Sequence, residues 1–467
     1  MNRRRRTILM AAGLTAAGGL VRSPTAAAGE RMPLAAPPEV RSENGVLKTE
    51  LTAAPGTVRL GDITFPGLLY NSAYLPPVLR ARLGDTLRIR FHNALLDDPS
   101  NLHFHGMSVS PQGQGDNVFV HVHPGGTFSY EVQIPARGRQ GPGLFWYHPH
   151  AHGVVDKQIM GGMSGGLVVE GSDTLYPILK DLPERFLFLK QAQVGEREAL
   201  SINGQIDPVV EIRPGEMQLW RIANISAELF ARLRIDAMPL YVLATDGHPL
   251  SRPSRTAELF LGPGERVDAI VVGPSSGEYA LHTVSFQNEA WKEPGPSVRL
   301  ATIRSRGTTA SRANAEAHVV RQRLAQPSWT DEVRSAPIAR RRSLTYSRTE
   351  DRKVFMINGR VMDEQRVDAT VRLGDTEEWT IVNTDRQYHS FHIHQTPFLV
   401  TEVNGAPRKE DSLHDTFSVP PATEAAPGRL KVVIPFTDPV IVGRFVYHCH
   451  AVDHEDKGMM GVVEVVP

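Results

Sequence analysis

The stretch Leu83-Gly84-Asp85-Thr86-Leu87-Arg88-Ile89-Arg90-Phe91-His92-Asn93 has two gapless counterparts further along the chain. They read Pro214-Gly215-Glu216-Met217-Gln218-Leu219-Trp220-Arg221-Ile222-Ala223-Asn224 and Leu373-Gly374-Asp375-Thr376-Glu377-Glu378-Trp379-Thr380-Ile381-Val382-Asn383. In each, nine positions separate the glycine from the asparagine. The pattern is a Gly-Asp/Glu turn, a strand whose side chains alternate between two faces, and a closing asparagine suited to a bend. The copies recur at intervals of 131 and 159 residues, the size of a whole domain, which predicts triplicated domains and not a solenoid. Elsewhere, short runs rich in Val, Ile, Leu and Phe are punctuated by Gly and Pro, with almost no helical periodicity, so the fold class is all-β.

With 467 residues, 41% hydrophobic and 22% charged, three domains can each bury a core. Composition places the first domain at 38–171 and the second at 172–305. Residues 306–342, with Arg340-Arg341-Arg342 at their end, read as a linker with a short helix and a solvated basic face, and the third domain as 343–467. A single cysteine excludes an intramolecular disulfide framework and any zinc site built from several thiolates. No apolar run past the N-terminus is long enough for a membrane span.

Residues 1–28 read as a targeting segment: Arg3 to Arg6, then Ile8-Leu9, an Ala/Gly-rich stretch, and Ala26-Ala27-Ala28 as a cleavage site. The paired arginines resemble the twin-arginine export signal, which implies passage through the twin-arginine machinery in folded form and a periplasmic or secreted destination. Removing this segment takes away five arginines and no acid, leaving 46 basic against 51 acidic side chains. Such a mildly acidic chain has no electrostatic case for nucleic-acid binding.

Ten of the 18 histidines fall in four clusters, two in the first domain and two in the third. They are His103-Phe104-His105, His148-Pro149-His150, His389-Ser390-Phe391-His392-Ile393-His394, and His448-Cys449-His450 running on to His454 and Met459. On a strand, side chains two apart share a face. Four such pairs, His103/His105, His148/His150, His392/His394 and His448/His450, therefore supply eight imidazoles to one place, enough for several metal ions. Cys449 must point the other way, and so must His389, three residues before His392. His389, His454, one thiolate and a methionine are the donor set of a blue-copper electron-transfer site. Because Cys449 lies between His448 and His450, a one-electron site is joined by a few covalent bonds to a cluster able to store several electrons, which is what complete reduction of dioxygen needs.

These motifs, in this order and in the first and third of three repeats, resemble the three-domain multicopper oxidases, which include laccases, bilirubin oxidases and cuprous-ion oxidases. The resemblance implies three cupredoxin-like Greek-key β-barrels and four copper ions. By position, His389, Cys449, His454 and axial Met459 match the type 1 copper. His103 and His392 match the type 2 ion, and His105, His148, His150, His394, His448 and His450 the two type 3 ions. It also implies acidic residues near the cluster, for which Asp116 and Glu455 are the candidates as proton relays. No ligand position is vacant, unlike the copper-free scaffold relatives of the same fold. His121-Val122-His123, His152 and Met460 read as non-ligands, and Trp146, Tyr147 and Phe391 as core beside the sites.

The expected reaction is laccase-like: one-electron oxidation of four phenol or aromatic-amine donors coupled to reduction of dioxygen to water. The 12 methionines are scattered, with no Met-rich insertion, which disfavours a dedicated cuprous oxidase. An axial thioether stabilises oxidised copper and so favours readily oxidised donors. The alternatives are a cuprous- or manganese-oxidising enzyme in metal tolerance, and a non-enzymatic exported scaffold or copper carrier. Since one chain holds both halves of the cluster, a monomer is expected.

Overall fold

The three repeated segments occupy the same place in three β-sandwiches. In the computed structural model, which describes residues 31–467 except 196, 289–293, 327–328 and 410, strand Thr86–Asn93 lies parallel to Val46–Leu60 and antiparallel to Thr127–Gln133. Strand Met217–Asn224 lies likewise between Glu184–Val194 and Arg266–Val272, and Thr376–Asn383 between Arg340–Arg348 and Gly428–Pro435. The preceding glycines Gly84, Gly215 and Gly374 take φ of 89°, 76° and 96°, left-handed values that explain the residue type. The targeting segment 1–28 lies outside the described residues.

The closing asparagines do more than suit a bend. Asn93, Asn224 and Asn383 are fully buried. Each donates from Nδ2 to two carbonyls of the chain that follows: Asp98 and Val122, Leu229 and Leu261, Gln387 and Pro420. Their Oδ1 atoms accept from the N–H two residues on, at Leu95, Ser226 and Asp385. One side chain thus satisfies the backbone polar groups of a buried crossing.

Six sheets form three cupredoxin-like sandwiches of two sheets each. The ligand-bearing sheet of the first runs Glu39–Arg41, Val78–Arg82, Gly165–Glu170, Gly143–His148, His103–His105. That of the third runs Ala369–Arg372, Met460–Val466, Gly443–Cys449, His389–Ile393, Thr416–Val419. In both, the two histidine-bearing strands are antiparallel neighbours. Each sandwich closes over its own apolar core, with Trp220 at the centre of the second and Trp379 at that of the third. Among the described residues, no helix is long and apolar enough to cross a membrane.

The segment expected as linker differs in two ways. It holds two helices, Arg312–Val320 and Trp329–Ser335. Arg340-Arg341-Arg342 is not a linker face but opens the strand Arg340–Arg348, in register with Glu377, Glu378 and Trp379. The arginines belong there because the neighbouring strand is acidic: Arg341 meets Glu378 at 3.1 Å and Arg342 meets Glu377 at 2.6 Å.

The triple role of these asparagines is testable in the sandwich that carries none of the histidine clusters. Asn224→Ala, which strands the buried Leu261 carbonyl and the half-buried Leu229 carbonyl, is expected to cost about 2–6 kcal/mol of stability, as each orphaned group costs about 1–3 kcal/mol. Chemical denaturation of the metal-free protein reads this, and an unchanged midpoint would contradict it.

Candidate metal centres

Strand register carries the site. His103 pairs with His148 across the first sandwich's edge, and His392 with His448 in the third. His105 follows on the same strand, and in the other three pairs the second histidine lies just beyond the strand's end. His150 is held by its N–H donating to Asn101 Oδ1 at 2.6 Å, His450 to Ser390 O at 2.7 Å and His394 to Val446 O at 3.1 Å. The eight expected rings come together between the first and third sandwiches, none more than 2% exposed. His103 stacks on His394 with centroids 3.8 Å apart and His105 on His392 at 3.9 Å, one ring from each sandwich in each pair. His448 Nε2 lies 3.2 Å from Nε2 of both His150 and His394, and His105 Nδ1 lies 3.1 Å from His450 Nε2.

Outer partners decide which nitrogen faces inward. His103 Nδ1 donates to Asp116, both of whose oxygens lie at 3.0 Å. Asp116 is itself held by Phe104 N–H and Gln395 Nε2, each at 3.0 Å. His392 Nδ1 donates to Asp415 O at 2.8 Å and His148 Nδ1 to Pro149 O at 2.9 Å. His105 is turned round: its Nε2 donates to Asp415 Oδ1 at 3.1 Å, leaving Nδ1 inward. His448 Nδ1 donates to Cys449 O at 3.2 Å and lies 2.9 Å from Glu455 Oε2, which takes no hydrogen bond. As a result His103 Nε2, His148 Nε2 and His392 Nε2 are buried with no protein partner.

Burial first, and the neighbouring imidazoles second, lower the pKa values of His103, His105, His148, His394 and His450 far below the ordinary histidine range. Burial takes His392 and His448 down to about 3, and His150 to about 4 against the pull of Glu455. The rings are therefore neutral, with free lone pairs. A buried polar atom without a partner costs about 1–3 kcal/mol, and several aimed at one space are what metal ions would satisfy. The donor set fits copper. The two acids differ from surface carboxylates too: burial pushes both Asp116 and Glu455 up.

The second centre lies on the other face of the same strands. Phe391 pairs with Cys449, so Cys449 points away from His448, as does His389. His389 Nδ1 is 3.4 Å and His454 Nδ1 3.5 Å from Cys449 Sγ, which also receives Ser390 N–H at 3.5 Å. Burial pushes the Cys449 thiol up to about 12, so the sulfur is a thiolate only when a cation replaces its proton. Met459 is fully buried in the core that contains Cys449, its N–H donating to His454 O at 2.9 Å. Met460 lies in a different cluster with Val118, Val446 and Val462. His454 is 8% exposed, stacked on Phe355 at 4.1 Å, with the Gln387 amide 2.8 Å from its Nε2.

The residues read as non-ligands differ in how near they lie to the centres: Met460 pairs with His448 across the strands, and His152 is close enough to act electrostatically on His448 and Glu455. His121 pairs with Glu364 at 3.0 Å, and His123 is exposed. Half-buried His152 lies two residues beyond the His148/His150 pair. Sequence reasoning missed Asn101, Gln395, Asp415 and Arg266. Asn101 and Gln395 flank the motifs, and their neighbourhood was the available signal. Asp415 is a single acid between a histidine and a threonine, and Arg266 sits in a domain without ligands, so no spacing marks either. Arg266 keeps the Asp415 carboxyl below its ordinary range against the effect of burial.

Comparison with known proteins agrees with this geometry. Three models of the multicopper oxidase family match residues 54–174, 146–307 and 336–467. The multicopper oxidase mco of Staphylococcus aureus is 25% identical over 449 residues, covering 91% of this chain and 90% of that protein. The cell division protein FtsP of a Rahnella species is 27% identical over 497 residues, covering 100% of both. Among solved structures, a Campylobacter jejuni multicopper oxidase described as a metallo-oxidase superposes with a TM-score of 0.77 at 24% identity, over 93% of this chain and 94% of the other. A laccase-like multicopper oxidase, CueO, from Ochrobactrum gives 0.75 at 24% identity over 93% and 100%.

If the inward lone pairs await metal, removing copper with a chelator lowers the unfolding temperature and restoring it raises it again. At a hundredfold excess of free copper over the dissociation constant, one site adds about 2.7 kcal/mol. Identical thermal unfolding of stripped and copper-treated protein would contradict this.

Proposed function

We propose that this chain, which belongs to the multicopper oxidase family, oxidises phenols and aromatic amines one electron at a time and reduces dioxygen to water. The observation that carries this reading is strand Gly443–Cys449, which places the Cys449 sulfur in one centre while the adjacent His448 and His450 face the other. His389, Cys449, His454 and Met459 would hold the type 1 copper, and His103 and His392 the type 2 ion. His105, His148 and His150, with His394, His448 and His450, would hold the two type 3 ions. When bound, the four copper ions supply reversible one-electron chemistry at the first centre and storage of several electrons at the second.

The protein's own groups do the rest. The Cys449 sulfur is joined to either neighbouring imidazole by an unbroken covalent path through Cys449 and the adjacent histidine, which would carry an electron from one centre to the other. His454 offers the route inward: it is the slightly exposed ligand, and its Nε2 edge meets Gln387, whose Oε1 accepts from Arg352 at 2.5 Å. Complete reduction of one dioxygen consumes four electrons and four protons and yields two waters. Asp116 and Glu455, buried against His103 and His448, hold protons within reach of the cluster and are the catalytic acids of this reading. Asp116 also fixes His103 by accepting its Nδ1–H.

Residues 1–28 support export through the twin-arginine route to the periplasm or outside the cell. The cluster is complete within one chain, which supports a monomer. Oxidation of cuprous or manganese ions is the second reading, favoured by the Campylobacter neighbour described as a metallo-oxidase. A non-enzymatic scaffold would have no need of converging unpartnered imidazoles.

The copper-loaded protein should be blue, with thiolate-to-copper absorption near about 600 nm that vanishes in Cys449→Ser. Oxygen uptake with a phenol should then give a higher kcat/KM than with Cu(I). A higher value for Cu(I) would establish the metal-ion reading, and no oxygen uptake with any one-electron donor would refute both.

A further inference from the structure

Strand Arg266–Val272 belongs to the second sandwich, which supplies none of the ligands named above, yet its first residue reaches the cluster. The Arg266 guanidinium is fully buried and grips Asp415 with both arms, Nη1 to Oδ1 at 2.7 Å and Nη2 to Oδ2 at 2.6 Å. Its Nε donates to Leu144 O of the first sandwich at 3.2 Å, and Nη1 also to Gly264 O at 3.1 Å. One guanidinium therefore spans all three sandwiches.

Asp415 in turn orients two ligands of different kinds. Its Oδ1 accepts from His105 Nε2, which leaves the His105 Nδ1 lone pair inward, and its main-chain carbonyl accepts from His392 Nδ1, which leaves Nε2 inward. Thr416 Oγ1 ties the arrangement, donating to Asp415 Oδ1 at 2.8 Å and lying 3.0 Å from both rings. The space is closed: a Cβ at Gly106 would stand 2.4 Å from both Arg266 Nη2 and Asp415 Oδ2, and one at Gly264 would stand 3.1 Å from His105 Cε1. The planar fork matches a carboxylate in a way an ammonium does not.

We propose that Arg266 is a positioning residue for the histidine cluster: by fixing Asp415 it fixes the inward nitrogens of His105 and His392, so that the ligand-free sandwich governs how tightly the cluster holds copper. This rests on the copper reading above. Outer partners of metal-ligating histidines are worth about 10- to 100-fold in affinity.

The test titrates copper into stripped wild type, Arg266→Lys, Arg266→Met and the double variant Arg266→Met/Asp415→Asn, following bound copper, the blue band and the EPR hyperfine pattern. In Arg266→Met the blue band should keep its wild-type intensity while the cluster ions bind about 10- to 100-fold more weakly with altered hyperfine splitting. Arg266→Lys should fall between. Asp246, which also lies 3.4 Å from Arg266 Nη1, keeps its hydrogen bonds from the Arg266 N–H and His414 Nδ1, and the double variant removes the Asp415 carboxylate together with its guanidinium, which limits misfolding from an unpaired buried charge. It should fold, show the blue band and still bind cluster copper weakly. Wild-type cluster affinity and hyperfine pattern in the double variant, or in a folded Arg266→Met, would reduce Arg266 to an inter-sandwich ion pair and overturn the proposal. A wild type without the blue band would instead fail the copper reading, leaving the two failures distinguishable.

Discussion

Buried imidazole lone pairs are the constraint on which the rest of this protein depends. Eight rings are packed between two sandwiches, made neutral by burial and by one another, and turned so that nitrogens face a common space. The rings of His103, His105, His148, His392 and His448 are turned from outside, by Asp116, Asp415 or a backbone carbonyl. Without cations this arrangement is costly, since His103, His148 and His392 each bury an unpartnered Nε2. A chain that maintains such a cost at one converging set of ligand atoms is built around what removes it.

The sandwiches serve that purpose in different ways. The first and third contribute paired strands whose period of two sorts side chains to opposite faces, and in the third this places two centres back to back across one strand. Cys449 and His448 are neighbours in sequence and belong to different sites for no deeper reason than the pleat. The second contributes a guanidinium, and its likeness to the other two, down to Asn224, shows that ligands are features of edges and loops and not of the fold itself.

What was legible in the sequence follows the same physics. Residues tied by local periodicity could be read: the glycine-to-asparagine repeat, the four histidine pairs, the opposed cysteine. Met459 could be told from Met460 only through the family resemblance, and the structure puts the two in separate cores. What escaped depends on contacts between distant segments. Asp415 and Arg266 meet across 149 positions, and neither has a neighbour that advertises its partner. The Arg340–Arg342 run reads as a solvated linker face, and Arg340 and Arg341 are indeed exposed, but the run opens a strand because Glu377 and Glu378 lie alongside in the next one.

Wiring a one-electron centre to a multi-electron one has a chemical signature that neither centre shows alone. The measurement that tests it is the ratio of donor oxidised to dioxygen consumed by the copper-loaded protein, with hydrogen peroxide assayed in the same solution. Four one-electron equivalents per dioxygen, with water as product and no peroxide, is the result the strand from Gly443 to Cys449 predicts. Two equivalents per dioxygen with stoichiometric peroxide would show that the two centres do not act as one.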